Sequence, residues 1–192
     1  MKKNSIQGSK TEKNLMLAFA GESQARNRYS YYASKAKKEG YEQISNIFKE
    51  TAENEKEHAK VFLEYLENEP IEICAKFLTN LGDTKENLKA AIMGEHDENT
   101  NLYPYFAEVA EDEGFLDIAE SFKHVTEVEK HHEARFKKLL KNIEENKVFK
   151  KDKEVEWKCL NCGYPTISKK APKICPSCKH EQAYFEICCE NY

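Results

Sequence analysis

Two short stretches, Glu129-Lys-His-His132 and Glu55-Lys-Glu-His58, decide the fold of this chain. Each contains a Glu and a His three residues apart, and residues at this spacing lie on the same face of an α-helix. Both lie where the surrounding pattern calls for apolar core residues. An unpaired buried carboxylate is costly, and a metal ion is the simplest compensation for its charge. The two stretches therefore predict half of a dinuclear metal site.

The apolar periodicity predicts four amphipathic helices around these stretches. Ser9-Lys-Thr-Glu12 is typical of a capping box that opens the first helix, and Gly40 is expected to end it. Asp83-Thr-Lys-Glu86 indicates the start of the third helix, which is expected to close at Gly114. The apolar residues of segment 70–82 predict a packed crossover in the middle, with room for a short helix. Four helices with one longer connection describe a bundle with a crossover.

The first and second predicted helices form one pair, and the third and fourth form another. The two pairs are repeats of each other. Phe48 corresponds to Phe122 at an offset of 74 positions, and the two Glu-x-x-His stretches share this offset. Glu22 corresponds to Glu95 only at an offset of 73, so the third helix holds one extra residue between Glu95 and Tyr105. One extra residue in a helix is the signature of a π-bulge, and π-bulges favour functional sites. We therefore predict a π-bulge between Glu95 and Tyr105, near Pro104.

Length and charge exclude several classes of protein. The 192 residues leave room for one ordinary domain and a small one. The net charge is −4 with acidic and basic residues interspersed, which argues against a nucleic-acid-binding protein. The first eight residues contain no apolar run, so no signal peptide or membrane span is expected there. The expected location is the cytoplasm.

Each of the four predicted helices has a stripe of apolar residues along one face, and acidic residues interrupt this stripe in its middle. Carboxylates with two imidazoles suit Fe or Mn better than an ion that prefers thiolates. This arrangement is the one described for ferritin-like di-iron and di-manganese bundles. The alternative is a set of solvated charges on a highly charged bundle, but four interruptions in register, repeated by a duplication, disfavour it. The predicted metal ligands are Glu22, Glu55, His58, Glu95, Glu98, Glu129 and His132.

The predicted domains are a ferritin-like bundle over residues 1–146, a charged linker over 147–156 and a small β domain over 157–192. The last of these contains two Cys-x-x-Cys pairs, a strong four-thiolate signal, formed by Cys159, Cys162, Cys175 and Cys178. A tail of this size is expected to need a metal to fold. Spacing alone favours a zinc ribbon, whereas a redox iron site in the same chain makes an electron-carrying centre of one iron and four cysteines plausible.

With these motifs the chain resembles the rubrerythrin family along nearly all of its length. The resemblance rests on Phe19-Ala-Gly-Glu-Ser-Gln-Ala-Arg26, Glu55-x-x-His58, Gly94-Glu95-x-x-Glu98 with Tyr103-Pro104, Glu129-x-x-His132-x-x-Arg135-Phe136, Cys162-Gly-Tyr164 and Cys175-Pro-Ser-Cys178. It implies a ferritin-like bundle followed by a rubredoxin-like domain in which four cysteines hold one iron.

The function implied by the resemblance is that of a non-haem di-iron peroxidase that reduces hydrogen peroxide to water in oxidative-stress defence. The implied cofactors are two Fe in the bundle and one Fe in the four-cysteine site. Glu55 and Glu129 would bridge the two irons. The implied terminal ligands are Glu22 and Glu98 on one iron, with His58 replacing Glu98 on reduction, and Glu95 and His132 on the other. Tyr29 and Tyr103 are further candidates, as hydrogen-bond donors to the carboxylates.

The resemblance also implies partners. Electrons would come from rubredoxin or from a flavoprotein reductase that draws on NAD(P)H. Two chains would pair as a homodimer or within a higher oligomer, so that the rubredoxin-like centre of one lies near the di-iron site of the other. Two other functions stay open from the residues: a ferritin-like ferroxidase, and an electron-transfer or zinc-ribbon binding protein. Cys74, Cys188 and Cys189 are interpreted as structural or incidental thiols.

Overall fold

The computed structural model describes residues 5–67 and 69–189. The predicted fold class, a mainly α ferritin-like bundle with a small β domain at its C-terminal end, is confirmed. The bundle consists of α1 (Lys10–Lys38), α2 (Glu42–Tyr65), α3 (Thr84–Asp97), a π-helical turn (Glu98–Leu102), α4 (Tyr103–Asp112) and α5 (Leu116–Glu144). The segments α3, π-turn and α4 follow one another directly and together form the third helix of the bundle.

Turn glutamates tie the two helix pairs together. The carboxylate of Glu39, just after α1, accepts hydrogen bonds from the backbone N–H of Thr84 at 2.9 Å and from its hydroxyl. In the second pair, the carboxylate of Glu113 accepts equivalent bonds from Thr11 at 2.8 and 2.7 Å. Burial opposes ionisation of both carboxyls, but these bonds outweigh it and lower the pKa of each. Each pair therefore caps the first helix of the other.

The helices begin and end close to the predicted positions. The hydroxyl of Ser9 accepts from the backbone N–H of Glu12 at 3.0 Å, although the Glu12 carboxylate bonds to Gly8 rather than to Ser9. The capping box of Asp83 and Glu86 is complete. Gly40 follows α1 with φ +81°, a left-handed conformation that glycine adopts without strain.

The predicted π-bulge is confirmed. The π-turn spans Glu98–Leu102, and the backbone N–H of Tyr103 donates to the carbonyl of Glu98, five residues earlier. Pro104 follows at the start of α4, where its missing N–H is tolerated. The side-chain amide of Asn99 donates to the Glu95 carbonyl at 2.6 Å. The extra residue is thus absorbed within one turn.

The crossover differs from the prediction. Segment 70–82 contains no helix, and Phe77 and Leu81 are 44% and 68% exposed. Its backbone is held at the bundle by the Tyr32 hydroxyl, which donates to the Asn80 carbonyl at 2.8 Å, and by Arg28, which donates to the Leu78 carbonyl at 3.4 Å. The prediction of a packed crossover was wrong, because the segment is attached to the bundle by hydrogen bonds to its backbone carbonyls and not by burial of its apolar side chains. The apolar side chains cover the bundle only in part.

Two apolar clusters fill the bundle. One is built around Tyr29, Phe48 and Phe136, and the other around Phe62 and Phe122, together with Tyr103. The duplicated phenylalanines thus divide evenly between the clusters. The acidic interruptions of the four stripes lie between them, so the polar layer has a closely packed apolar wall on either side.

The C-terminal part is a three-stranded antiparallel sheet in the order β2-β1-β3, with β1 at Lys150–Cys159, β2 at Pro165–Lys170 and β3 at Phe185–Ile187. Trp157 and Phe185 are fully buried in its core. Residues 150–156, predicted as linker, belong to β1 because they continue the strand that pairs with β2, with a register irregularity between Lys150 and Val155. The predicted boundary at residue 157 therefore falls inside a strand.

Candidate metal centres

The acidic layer of the bundle is supplied by four helices. Glu22 lies on α1, Glu55 and His58 on α2, Glu95 on α3, and the pair Glu129 and His132 on α5. The four glutamates and His132 are at most 2% exposed, and the His58 side chain is 12% exposed. The structure thus brings together six of the seven predicted ligands.

The six side chains form two overlapping groups. Glu22, Glu55, His58 and Glu129 each offer a ligand atom within 4.8 Å of the others, and so do Glu55, Glu95, Glu129 and His132. The Glu129 carboxylate places one oxygen 2.9 Å from Nδ1 of His58 and the other 2.8 Å from Nδ1 of His132. Glu55 does the same at 3.0 and 3.2 Å. Two carboxylates are therefore shared between two adjacent positions.

The donor atoms fit metal ions better than they fit each other. Within the described residues, five buried atoms form no well-oriented hydrogen bond, although several lie within ion-pair distance of one another: Glu55 Oε1, Glu95 Oε2, both carboxylate oxygens of Glu129 and Nδ1 of His132. Buried polar groups are normally satisfied, so five unsatisfied atoms in one cluster require an explanation. Oxygen and imidazole donors at this density suit Fe or Mn. A pair of divalent ions would satisfy all five.

The cluster perturbs its own ionisation. Burial, followed by repulsion from neighbouring carboxylates, raises the pKa of Glu22 and Glu95. Burial opposes a charge on His58 and His132, but contacts with Glu129 and Glu55 outweigh it and raise their pKa values to about 9 and about 12. The same contacts, against the effect of burial, lower the pKa of Glu129 to about 2. Imidazolium charges thus take the place that metal ions would fill.

Glu98, the seventh predicted ligand, lies outside both four-residue groups. It occupies the first position of the π-turn, and its carboxylate lines a cavity beside α1. Burial, followed by repulsion from Glu95 and Glu129, raises its pKa, so it is electrostatically close to the cluster. On this side of the site the structure therefore presents His58 inside the cluster and Glu98 beside it.

The two predicted tyrosines contact the cluster. The Tyr29 hydroxyl donates to the Glu95 carboxylate, and the Tyr103 hydroxyl donates to Glu22. Both tyrosines are 1% exposed. Burial, followed by the nearby carboxylate charges, raises the pKa of both phenols, which keeps them as donors. Each tyrosine belongs to one helix pair and orients a glutamate of the other pair.

Asn99 and Glu133 were not predicted from the sequence. The Asn99 amide, which also contacts the Glu95 carbonyl, donates to the Glu133 carboxylate at 2.9 Å. Glu133 follows His132 directly on α5 and is 8% exposed. The pair therefore connects the π-turn with the helix that carries Glu129 and His132. The one available signal was the extra residue in the third helix, which leaves a carbonyl that needs a donor.

The four predicted cysteines converge in the C-terminal sheet. Their sulfur atoms lie within 4.8 Å of one another, with Cys159 3.8 Å from Cys178 and Cys162 3.7 Å from Cys175. These separations exclude disulfides. A tetrahedral site with metal–sulfur bonds of about 2.3 Å has sulfur–sulfur edges of about 3.8 Å. The thiols therefore fit one tetrahedral metal ion.

Two similar turns position the thiols. The N–H of Gly163 donates to the Cys159 carbonyl at 2.8 Å, and the N–H of Lys179 donates to the Cys175 carbonyl at 3.0 Å. Gly163 and Lys179 both have positive φ, at 76° and 64°. The backbone N–H of His180 is the main reason why the pKa of Cys178 is lowered to about 6. The remaining cysteines, Cys74, Cys188 and Cys189, are free thiols outside the cluster.

Comparisons with known proteins agree with both sites. The rubrerythrin family model matches residues 13–140, and the rubrerythrin rubredoxin-like domain model matches residues 157–186. Rubrerythrin-1 of Clostridium acetobutylicum is 60% identical and covers 98% of this chain and 99% of its own length. Rubrerythrin of Porphyromonas gingivalis is 57% identical, with coverages of 98% and 94%.

Solved structures extend the likeness to the fold. Mixed-valence nigerythrin has a TM-score of 0.63 at 26% identity, over 96% of this chain and 92% of that chain. Dithionite-reduced symerythrin from Cyanophora paradoxa has a TM-score of 0.64 at 20% identity, over 73% and 89%, which supports the fold alone. Among the described helices, none combines the length and apolar character needed to cross a membrane.

Proposed function

Because this chain belongs to the rubrerythrin family, we propose that it is a peroxidase that reduces hydrogen peroxide to water. It has the family's di-iron carboxylate–histidine site and its four-cysteine rubredoxin-like knuckle. The observation that carries the proposal is the sharing of Glu55 and Glu129 between two groups of ligands. A pair of adjacent redox metals suits a reaction that consumes two electrons and two protons per peroxide.

The proposed ligand set follows the two groups. Glu55 and Glu129 would bridge, Glu22 and His58 would complete one position, and Glu95 and His132 the other. Glu98 would join the first position when His58 leaves it. We assign the exchange to His58 because it is the more exposed of the two imidazoles, at 12% against 2% for His132. When bound, a di-iron centre supplies two electrons to a single peroxide molecule, whose O–O bond is then cleaved.

The other residues would prepare the site for this reaction. Tyr29 and Tyr103 hold Glu95 and Glu22 by hydrogen bonds from phenols that stay protonated. The apolar clusters above and below exclude water from the acidic layer, which strengthens every electrostatic contact inside it. The side chains thus orient the carboxylates before any metal binds.

We propose that the four-cysteine site relays electrons that arrive from rubredoxin or a flavoprotein reductase. Within one chain the sheet contacts the bundle near its end, where Gln43 donates to Glu186 at 3.4 Å. Gln43 and Glu55 are twelve residues apart on α2, which is about 18 Å along a helix. A second copy of the chain that brings its sheet beside the acidic layer would shorten this path. A homodimer or higher oligomer is therefore part of the proposal.

Anaerobic rapid mixing tests the peroxidase function. The chemically reduced, iron-loaded protein is expected to be reoxidised much faster by hydrogen peroxide than by dioxygen, because the site is built to give two electrons to one peroxide. Absorbance of the oxidised centre reports each rate. Similar rates with both oxidants would contradict the proposal and favour a ferroxidase.

The relay has a separate test. Cys159→Ser is expected to abolish turnover with an external reductant, while a single oxidation of the pre-reduced bundle by peroxide survives. Cys189→Ser is the matched control, since Cys189 is an exposed thiol outside the cluster. If Cys159→Ser removed both reactions, the sheet would have a structural role rather than a role in electron transfer.

A further inference from the structure

A cavity of about 680 Å³ opens beside the acidic layer of the bundle, between α1, the crossover and the third helix. Glu98 and Tyr103 line it, so the cavity reaches the side chains that surround the metal positions. Hydrogen peroxide occupies roughly twice the volume of a water molecule, or about 60 Å³. Pockets of about 300–1,000 Å³ typically hold larger organic ligands. The cavity is therefore much larger than hydrogen peroxide requires.

The lining of the cavity is amphipathic. Its polar groups include Glu98 and Arg28, whereas most of its wall is apolar and consists of Leu17, Phe77, Leu78, Met93, Leu102 and Phe106. Arg28 is fixed at the wall by its bond to the Leu78 carbonyl. A few polar groups within an apolar wall orient a ligand that has one polar end and one apolar part.

Two glycines leave space at this wall. Gly21 lies inside α1 and Gly94 inside α3, and each directly precedes a candidate metal ligand. Glycine inside a helix is destabilising relative to alanine. Neither has positive φ, and an added Cβ would come no closer than 4.0 Å to Glu98 Oε1 or 3.5 Å to Leu78 Cδ1. Backbone geometry and packing therefore do not require glycine at either position, and the missing side chains leave the cavity open beside Glu98.

We propose that this cavity binds organic hydroperoxides and that the chain reduces them as well as hydrogen peroxide. The inference rests on the proposed peroxidase function. The hydroperoxide group points to Glu98, and the organic substituent packs against the apolar wall. One hydroperoxide takes two electrons from the reduced metal centre and two protons from solvent. Its O–O bond breaks, and one alcohol and one water leave.

The binding step is tested without turnover. The probe is cumyl alcohol, the stable product of cumene hydroperoxide, added to the full-length zinc-loaded protein. Nitrogen-15 NMR is expected to show saturable shifts of the Gly21 and Gly94 amides. Gly21→Leu, which fills the cavity beside Glu98, is expected to weaken binding at least about tenfold. Asn27→Leu, an exposed position of the same helix outside the cavity, is the matched control and leaves binding unchanged.

The reaction step is tested by anaerobic oxidation of the reduced iron protein with either oxidant. Gly21→Leu is expected to lower the ratio of the rate with cumene hydroperoxide to the rate with hydrogen peroxide at least about tenfold. Met93→Ser on the opposite wall, where the side chain is 53% exposed, lowers the same ratio and serves if Gly21→Leu fails to fold.

The two hypotheses fail in different ways. If hydrogen peroxide oxidises the protein but cumene hydroperoxide does not, or if both variants keep the wild-type ratio, the cavity does not bind hydroperoxides. Absence of alcohol binding also overturns this inference, and a second copy of the chain that covers the cavity is one cause of that result. If hydrogen peroxide itself does not oxidise the protein, the proposed function fails.

Discussion

Loading the bundle with two divalent ions is expected to release at least two protons at pH 7. His58 and His132 point their Nδ1 atoms into the cluster, and their pKa values are raised to about 9 and about 12 by Glu129 and Glu55 against the effect of burial. Both imidazoles are therefore charged at pH 7 in the metal-free protein. A metal ligand must be deprotonated, so each histidine loses its proton when the ion binds.

The number of protons released distinguishes histidines with raised pKa values from histidines with unperturbed ones. Two unperturbed histidines with a pKa of about 6.5 would together release about half a proton at pH 7. The structure predicts two from the imidazoles, and the raised pKa values of Glu22, Glu95 and Glu98 add any protons that these carboxyls still hold. With two protons released, the product of the two binding constants falls about 100-fold for each unit of lowered pH.

Titration with ferrous iron in weakly buffered anaerobic solution, followed by pH-stat or by calorimetry in two buffers, measures the release. The Cys159→Ser/Cys178→Ser variant confines binding to the bundle. In that background, His58→Gln is expected to reduce the release by about one proton, whereas His124→Gln, an exposed histidine of α5, leaves it unchanged. Release of fewer than one proton per chain would refute the reasoning, because it would mean that the imidazoles are neutral before the metal binds.

Three further predictions concern the protein scaffold. The metal-free protein should lose stability as pH rises from 6.5 through about 9, because the raised pKa of His58 stabilises the folded state only while the imidazole is protonated; urea midpoints across this range, with the iron-loaded protein as control, check the sign. Tyr103→Phe removes the donor to buried Glu22 and should cost about 1–3 kcal/mol in urea unfolding, whereas Tyr105→Phe, at a side chain that is 55% exposed, should cost almost nothing. Asn99→Leu removes the amide bonds to Glu95 and Glu133 and should cost about 1–3 kcal/mol, while exposed Asn101→Leu is the control; equal losses in both would contradict the role of Asn99.

The parts of the fold that follow from periodicity and register were predictable from the sequence. The apolar stripes determine which faces meet, and the duplication places His58 at the level of His132. Even the π-turn follows from counting, because a helix in register at both ends cannot hold an extra residue without a local change of hydrogen bonding. For this reason Glu98–Leu102 was predictable although its local sequence contains no π-helix signal.

The parts of the fold that depend on tertiary contacts of individual side chains and backbone groups were not predictable from the sequence. The apolar residues of segment 70–82 suggested packing, but Phe77 stays 44% exposed because the crossover is attached through its carbonyls. The charged residues 150–156 suggested a linker, yet they belong to β1, in which Lys150, Val155 and Glu156 pair with β2 and most side chains of the segment reach solvent. The place of Glu98 at the cavity, outside both four-residue groups, was also not evident from its spacing.

The two halves of the duplicated bundle differ at the π-turn and at Glu98, beside one metal position. In the first pair, Glu22 and Tyr29 are seven residues apart, close to two helical turns, whereas Glu95 and Tyr103 in the second pair are eight apart. The π-turn absorbs the difference, so that each tyrosine still reaches the glutamate of the opposite pair. The position equivalent to Glu98 in the first pair is Ala25, which is 2% exposed and packs in the core. The inserted residue is therefore accommodated with both tyrosine–glutamate bonds intact, and the second pair has the cavity-lining Glu98 at the position where the first pair has a buried alanine.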